Sequence, residues 1–164
     1  MVLTATEAMT SGRPVAWFAP TYKMLADVWR QMCEALRPLT VSSNATEHRI
    51  ELVNGGAIEM WSLDSADAGR GRRYARVVVD EAAMVPMLVD TWQAAIRPTL
   101  TDYRGDAWFM STPKGRNGFW QLWTNGQDDA QPDWASWQMP TATNPFIPPD
   151  EIDTARAMLP DIVF

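Results

Sequence analysis

The segment Arg76-Val77-Val78-Val79-Asp80-Glu81-Ala82 limits the fold of this chain more than any other. Three consecutive valines suit a strand covered on both faces, the condition of a parallel sheet. The two carboxylates then fall at the carboxyl end of that strand, where α/β folds hold their ligands. An aspartate there can hold Mg²⁺ on a nucleotide, and the adjoining glutamate can polarise an attacking water. The same pair can equally cap a helix or enter salt bridges, so the segment alone does not decide between them.

The chain has 164 residues, enough for one domain with a real core. Hydrophobic residues make up 46% of it, with nine tryptophans and ten methionines supplying much of the apolar volume, so disorder is excluded as the default. A net charge of −6 argues against a uniformly basic nucleic-acid binder. The local exception is a cluster of Arg70, Arg72, Arg73 and Arg76. Cys33 is the single cysteine, which rules out an internal disulfide and suits a reducing cytosol. His48 is also alone, so a zinc site is not expected. No apolar run reaches the ~18 residues of a membrane span, and the polar amino end does not resemble a signal peptide.

Strand and helix patterns alternate along the chain. Leu3–Ser11 reads as a helix closed by Gly12. Val15–Ala19 reads as a buried strand stopped by Pro20. Leu25, Val28, Trp29, Met32 and Leu36 share one face of a helix from Lys23 to Leu36, which Pro38 ends. His48–Val53 and Ala57–Leu63 form a hairpin around Asn54-Gly55-Gly56. A three-residue loop with a left-handed glycine pairs Leu52 with Ile58 and Ile50 with Met60 on one apolar face. Further along are strands at Arg76–Asp80 and Asp106–Met110, and helices at Leu88–Ile96 and Phe119–Trp123. A last strand is expected at Trp134–Met139, then a proline-rich linker over Thr141–Pro149 and a helix over Asp150–Met158. This order indicates a mainly parallel α/β sheet with flanking helices and right-handed crossovers, into which the hairpin is inserted.

Three segments carry a resemblance: Gly69-Arg70-Gly71, Val77-Val78-Val79-Asp80-Glu81-Ala82-Ala83, and Phe109-Met110-Ser111-Thr112-Pro113-Lys114-Gly115. In this order and spacing they resemble the ATPase domain of the large terminase subunit of tailed bacteriophages, the motor that packs DNA into a preformed head. Ala19-Pro20-Thr21-Tyr22 is similar to the turn after the family's second strand, and Thr143-Asn144-Pro145-Phe146-Ile147-Pro148 to the segment before its nuclease domain. The resemblance implies a P-loop NTPase fold of the RecA-like kind, with ATP and Mg²⁺ as cofactors. It implies that Asp80 is the Walker B aspartate that helps hold Mg²⁺, and Glu81 the catalytic glutamate that orients water. It places Arg70 where some members insert an arginine into a neighbouring subunit's site, a device that stabilises charge on the transferred phosphoryl group. It assigns Ser111 and Thr112 to the coupling motif that senses the γ-phosphate; as alternatives, the two could cap the next helix and Arg70 could be a solvated loop arginine. Implied partners are double-stranded DNA, the portal protein and the small terminase subunit, in the cytoplasm of a bacterial host.

The departure from the family is the phosphate cradle. No Gly-x-x-x-x-Gly-Lys-Ser/Thr occurs in the chain. Such a loop supplies the backbone N–H groups and the lysine that bind the phosphates. The expectation is a partial ATPase domain over residues 1–140 and a linker with a short helix over 141–164, beginning near the end of the P-loop helix and stopping before the nuclease. Such a piece lacks a central strand beside Asp106–Met110, which predicts self-association or entry of the Trp134–Met139 strand into the gap. Two other readings remain: a non-catalytic interaction module that docks on motor, portal or head proteins, and a fragment of a helicase-like ATPase, whose coupling motif is similar.

Overall fold

The computed structural model describes residues 1–65, 67–140 and 143–158. They fall into two compact units, divided between Leu122 and Trp123. The first unit is built on six strands: β1 Pro14–Ala19, β2 Thr40–Asn44, β3 Arg49–Leu52, β4 Ala57–Ser62, β5 Arg76–Val79 and β6 Asp106–Phe109. They lie in the order β2-β3-β4-β1-β5-β6. Strands β4, β1, β5 and β6 run parallel to one another, while β3 pairs antiparallel with β4 and β2 antiparallel with β3. Val77, Val78 and Val79 are fully buried on both faces of β5, as their run of β-branched side chains requires. Each contributes on the order of 1.5–3 kcal/mol through the apolar surface it removes from water.

The helices follow their sequence signals. Helix α1, Val2–Ser11, ends at Gly12, whose left-handed backbone (φ 63°) returns its N–H to Ala8 O. Helix α2, Tyr22–Leu36, starts at Thr21, whose hydroxyl accepts from Met24 N. Its Leu25, Met32 and Leu36 are buried with Val15, Trp17, Ile50, Ile58, Met60 and Val78 in the main core, and Val28 and Trp29 pack at the margin. Helix α3, Leu88–Thr91, continues as a π-helical turn over Trp92–Ile96 and a 3₁₀ turn over Arg97–Leu100. Helix α4, Gly118–Asn125, carries the chain past Leu122 into the second unit, which also contains α5, Pro149–Met158. Among the described residues no helix is long and apolar enough to cross a membrane.

Three expectations change. The hairpin has the expected three-residue loop and a left-handed glycine, Gly55 (φ 85°), but the loop is Val53-Asn54-Gly55 and Leu52 N donates to Gly56 O. Ile50 therefore faces Ile58 rather than Met60. The shift is two residues, which preserves the buried face, so hydrophobic pattern could not detect it. The loop's position is set by Asn54, whose Nδ2 donates to Ala8 O and Met9 O at the end of α1 while its Oδ1 accepts from Gly56 N. Second, the hairpin is part of a three-stranded antiparallel meander, because the polar and largely exposed segment Thr40–Asn44 pairs with β3. Third, Trp134–Met139 forms no strand, so it does not enter the sheet beside β6. The segment meets local structure instead: Ser136 Oγ donates to Trp123 O, and Gly126 lies so close to Ala135 and Ser136 that a Cβ would fall 2.5 Å from their backbone. Within the proline-rich stretch, Thr141 and Ala142 lie outside the described residues.

Candidate functional site

Strands β4 and β5 flank β1, so the chain reverses its direction of progress across the sheet at β1. In open α/β sheets such a reversal opens a crevice at the carboxyl ends of the strands. Asp80 stands there, one residue past β5, with its N–H bonded to Phe18 O of β1. Its carboxylate is half-buried and accepts from Glu81 N at 3.0 Å. Burial pushes the Asp80 carboxyl above its ordinary value of 3.8, opposed by the Glu81 N–H, reinforced by the Glu81 charge, and eased by the Met1 ammonium.

Glu81 occupies the left-handed region, φ 47° and ψ 40°. That conformation costs a non-glycine residue roughly 1–2 kcal/mol, and such residues gather at functional sites where the surroundings enforce them. The enforcement here is visible. Met110 N donates to Val79 O, Ala82 N donates back to Met110 O, and Met84 N closes a 3₁₀ turn onto Glu81 O. The left-handed residue at Glu81 lets Val79 and Ala82 both bond to Met110, just past β6, and the Glu81 carboxylate meets Ser111. Ser111 Oγ donates to Glu81 Oε2 at 3.2 Å. Adjacent parallel strands thus bring Asp80 and Glu81 together with Ser111, 30 residues apart in sequence for the bonded pair. Thr112 follows on the exposed side, and its carbonyl also receives the Ser111 hydroxyl at 3.3 Å.

Arg70 is not brought to this cluster within the chain. It is exposed, in the loop between β4 and β5, and pairs with Asp67 at 3.2 Å. The other members of the arginine cluster are also matched by acids: Arg72 lies 3.6 Å from Glu59, Arg73 2.8 Å from Asp102, and Arg76 grips Asp106 with two bonds of 2.6 Å. The loop's shape rests on Gly69 (φ 73°), where a Cβ would fall 2.8 Å from the Phe18 ring.

Sequence reasoning missed Asn117. Its Nδ2 donates to Ala83 O in the Glu81 turn at 3.0 Å, while its Oδ1 accepts from Phe119 N and Trp120 N at the start of α4. An Asn just before a helical run is a recognisable cap signal, but its second bond spans 34 residues and has no local trace.

The donor set can be tested against a magnesium nucleotide. A half-buried aspartate whose charge is poorly compensated, beside a glutamate held by a hydroxyl, fits the metal-and-water side of such a site. Among the described residues no group of three or more His, Cys, Asp or Glu forms a complete metal cage, so a cation here would need ligand oxygens from the nucleotide and water.

Comparison with known proteins narrows this. No family model matches the chain. The large terminase subunit of Escherichia phage T5 is 33% identical over 141 residues, covering 84% of this chain. The large terminase subunit of Thermus phage G20c is 45% identical over 65 residues, 40% of this chain. A crystal structure of the large terminase ATPase domain of Thermus phage P74-26 superposes with a TM-score of 0.70 at 24% identity, over 96% of this chain and 76% of that one. The chain is a relative of the phage large terminase subunits, with the fold of their ATPase domain. A large terminase from a thermophilic bacteriophage, solved in complex with ADP, shares that fold with a TM-score of 0.71 at 15% identity, covering 99% of this chain and 42% of that protein. This terminase relative spans about a third (32%) of the T5 subunit and 13% of the G20c subunit.

Proposed function

We propose that this chain supplies the Walker B and coupling side of the ATP site in a phage DNA-packaging motor. The observation that carries the reading is the Glu81 carboxylate, on strained left-handed backbone, bonded to the Ser111 hydroxyl across two adjacent parallel strands. In this reading Asp80, half-buried and incompletely compensated, is the residue that would hold the Mg²⁺ of a magnesium nucleotide. Bound Mg²⁺ supplies charge neutralisation at the β- and γ-phosphates. Glu81 orients the attacking water, and the Ser111 hydroxyl donates to the Glu81 carboxylate until a γ-phosphate oxygen competes as acceptor for that hydroxyl. Thr112, exposed beside Ser111, is the second sensing hydroxyl. Arg70, paired with an exposed aspartate, can exchange that partner for a neighbouring subunit's site, which gives self-association a functional role. Double-stranded DNA, the portal and the small terminase subunit are the partners such a motor requires, in the host cytoplasm.

A second reading, a non-catalytic module retained for its shape in the motor, is favoured by one observation: the chain contains no glycine-rich phosphate loop. Titration with a fluorescent ATP analogue, with Mg²⁺ or with EDTA, separates the two. The catalytic-side reading expects weak binding that strengthens with Mg²⁺ and loses that dependence in Asp80→Ala. Binding that ignores both Mg²⁺ and Asp80 would leave the non-catalytic module.

A further inference from the structure

The exposed stretch from Thr112 to Arg116 connects Ser111 to α4 with little to stiffen it. Gly115 sits in the left-handed region (φ 71°); among the described residues one local backbone bond, Asn117 N to Gly115 O, closes the turn, and the exposed Arg116 stacks over the Trp120 ring. A covalent tether of this kind transmits displacement poorly. Yet the two ends of the stretch are fastened to the same short turn. Met110 O, just before Ser111, accepts from Ala82 N, and the half-buried Asn117 donates to Ala83 O. Asn117 Oδ1 simultaneously accepts from Phe119 N and Trp120 N, so one planar amide joins the Glu81 turn to the first turn of α4. Gly118 completes the joint: a Cβ there would lie 3.2 Å from Leu88 Cβ, so α4 begins in close packing against the start of α3.

We propose that Asn117 is a positioning residue that makes α4 respond to the state of the Glu81–Ser111 contact. This inference deepens the proposed function and rests on it for its biological meaning. When the hydroxyl of Ser111 leaves the Glu81 carboxylate, the strained turn at Glu81–Met84 relaxes, and the Ala83 carbonyl carries Asn117 with it. Because the same amide caps α4, the displacement reaches the helix that leads out of the first unit. A backbone carbonyl bonded to a side-chain amide is directional, so it reports rotation of the turn as well as its distance.

The chemistry of asparagine separates this role from simple capping. Asp retains the acceptor for Phe119 N and Trp120 N and is as good a cap, but it cannot donate to Ala83 O. The test is hydrogen exchange of the 164-residue chain without nucleotide, read at the start of α4 (residues 118–123) and at the Glu81 turn (residues 81–85). Ser111→Ala is compared in two backgrounds, native and Asn117→Asp. We expect Ser111→Ala to speed exchange at the start of α4 about fivefold or more in the native background, the low end of ordinary coupling energies, and to leave it unchanged beside Asn117→Asp. Equal effects in both backgrounds, or no effect in the native one, would overturn the proposal and leave Asn117 as a cap. If Asp repels the carbonyl and loosens the turn itself, Asn117→Ser keeps a cap acceptor with a side chain too short to reach Ala83, and must give the same non-additivity. Nucleotide titration fails or succeeds separately: a chain that ignores Mg²⁺ and ATP but shows the non-additive exchange keeps the mechanical link and loses the enzymatic reading.

Discussion

Two acidic sites in the sheet have opposite constitutions. Glu59, in the middle of β4, has a side chain only 4% exposed and is fully engaged. Tyr74 Oη donates to it at 2.5 Å, Arg49 bonds to its other oxygen, and Arg72 stands 3.6 Å away while stacking over Trp61. Trp61 Nε1 in turn donates to Tyr74 Oη at 2.8 Å. Asp80 and Glu81, at the strand end, hold between them one backbone N–H, one serine hydroxyl and a strained residue. A buried charge that is completely paired rigidifies its surroundings. A half-buried charge left partly uncompensated marks a place where a ligand completes the structure. The comparison teaches that acidity and burial alone do not identify a site; the degree of compensation does.

The largest test of this contrast is Glu59→Ala, which takes the acceptor away from the buried Tyr74 hydroxyl, opens a polar cavity beneath Arg72, and leaves Arg49 only its exposed partner Glu51. It should cost about 3–5 kcal/mol, as breaking a buried pair usually does, seen as a fall in the urea midpoint. A loss below about 1 kcal/mol, the net worth of one ordinary hydrogen bond, would show that the network is dispensable. Tyr74→Phe removes one hydroxyl from the same network and should cost less, about 1–3 kcal/mol.

The pH responses should also fall at opposite ends of the scale. Burial, and then the bond to Glu59, hold the Tyr74 phenol far above its ordinary value of 10.0. The stability this contributes is complete below the ordinary phenol value and is lost above it, as the unfolded chain ionises first. The advantage of native protein over Tyr74→Phe should therefore shrink in alkali. Asp80, raised above 3.8 by burial, contributes stability that is present below that value and lost as pH rises through its folded value. Asp80→Asn should consequently gain on the native chain between the acid limit and neutrality, and a constant difference across that range would refute the assignment. Smaller still is the effect of Glu81→Gly on folding. Relief of the left-handed strain offsets the added freedom of the unfolded chain, so the urea midpoint should barely move, in contrast to Glu59→Ala. The smallest expected difference is in catalysis: without a phosphate loop, the 164-residue chain and its Glu81→Gln variant should show the same negligible ATPase rate. Activity that disappears in Glu81→Gln would contradict that.

The fold was legible where residue type and local spacing suffice. Alternating strands and helices, the Gly12 cap, the Pro20 stop and the valine run were all read in place, because backbone preferences and hydrophobic period act over a few residues. Trp134–Met139 misled for the same reason: its apolar, aromatic composition suits a strand, but a strand also needs a partner, which composition does not supply. Thr40–Asn44 is the reverse case, a polar segment made into a strand by β3. The Asp80-Glu81 and Ser111-Thr112 segments were visible as chemistry, yet their bond depends on β5 and β6 lying side by side.

By itself, then, the amino-acid order determined which residues carry charge and hydroxyls, which stretches can be buried, and where the chain must turn. Tertiary structure alone decided the compensation of each charge: that Glu59 is enclosed by Tyr74, Arg49 and Arg72, that Glu81 is forced into left-handed backbone, and that Asn117 reaches Ala83. The physical reason is range. Conformational preference and hydrophobic period are local, whereas desolvation and hydrogen-bond satisfaction depend on whatever the completed fold places within about 3 Å.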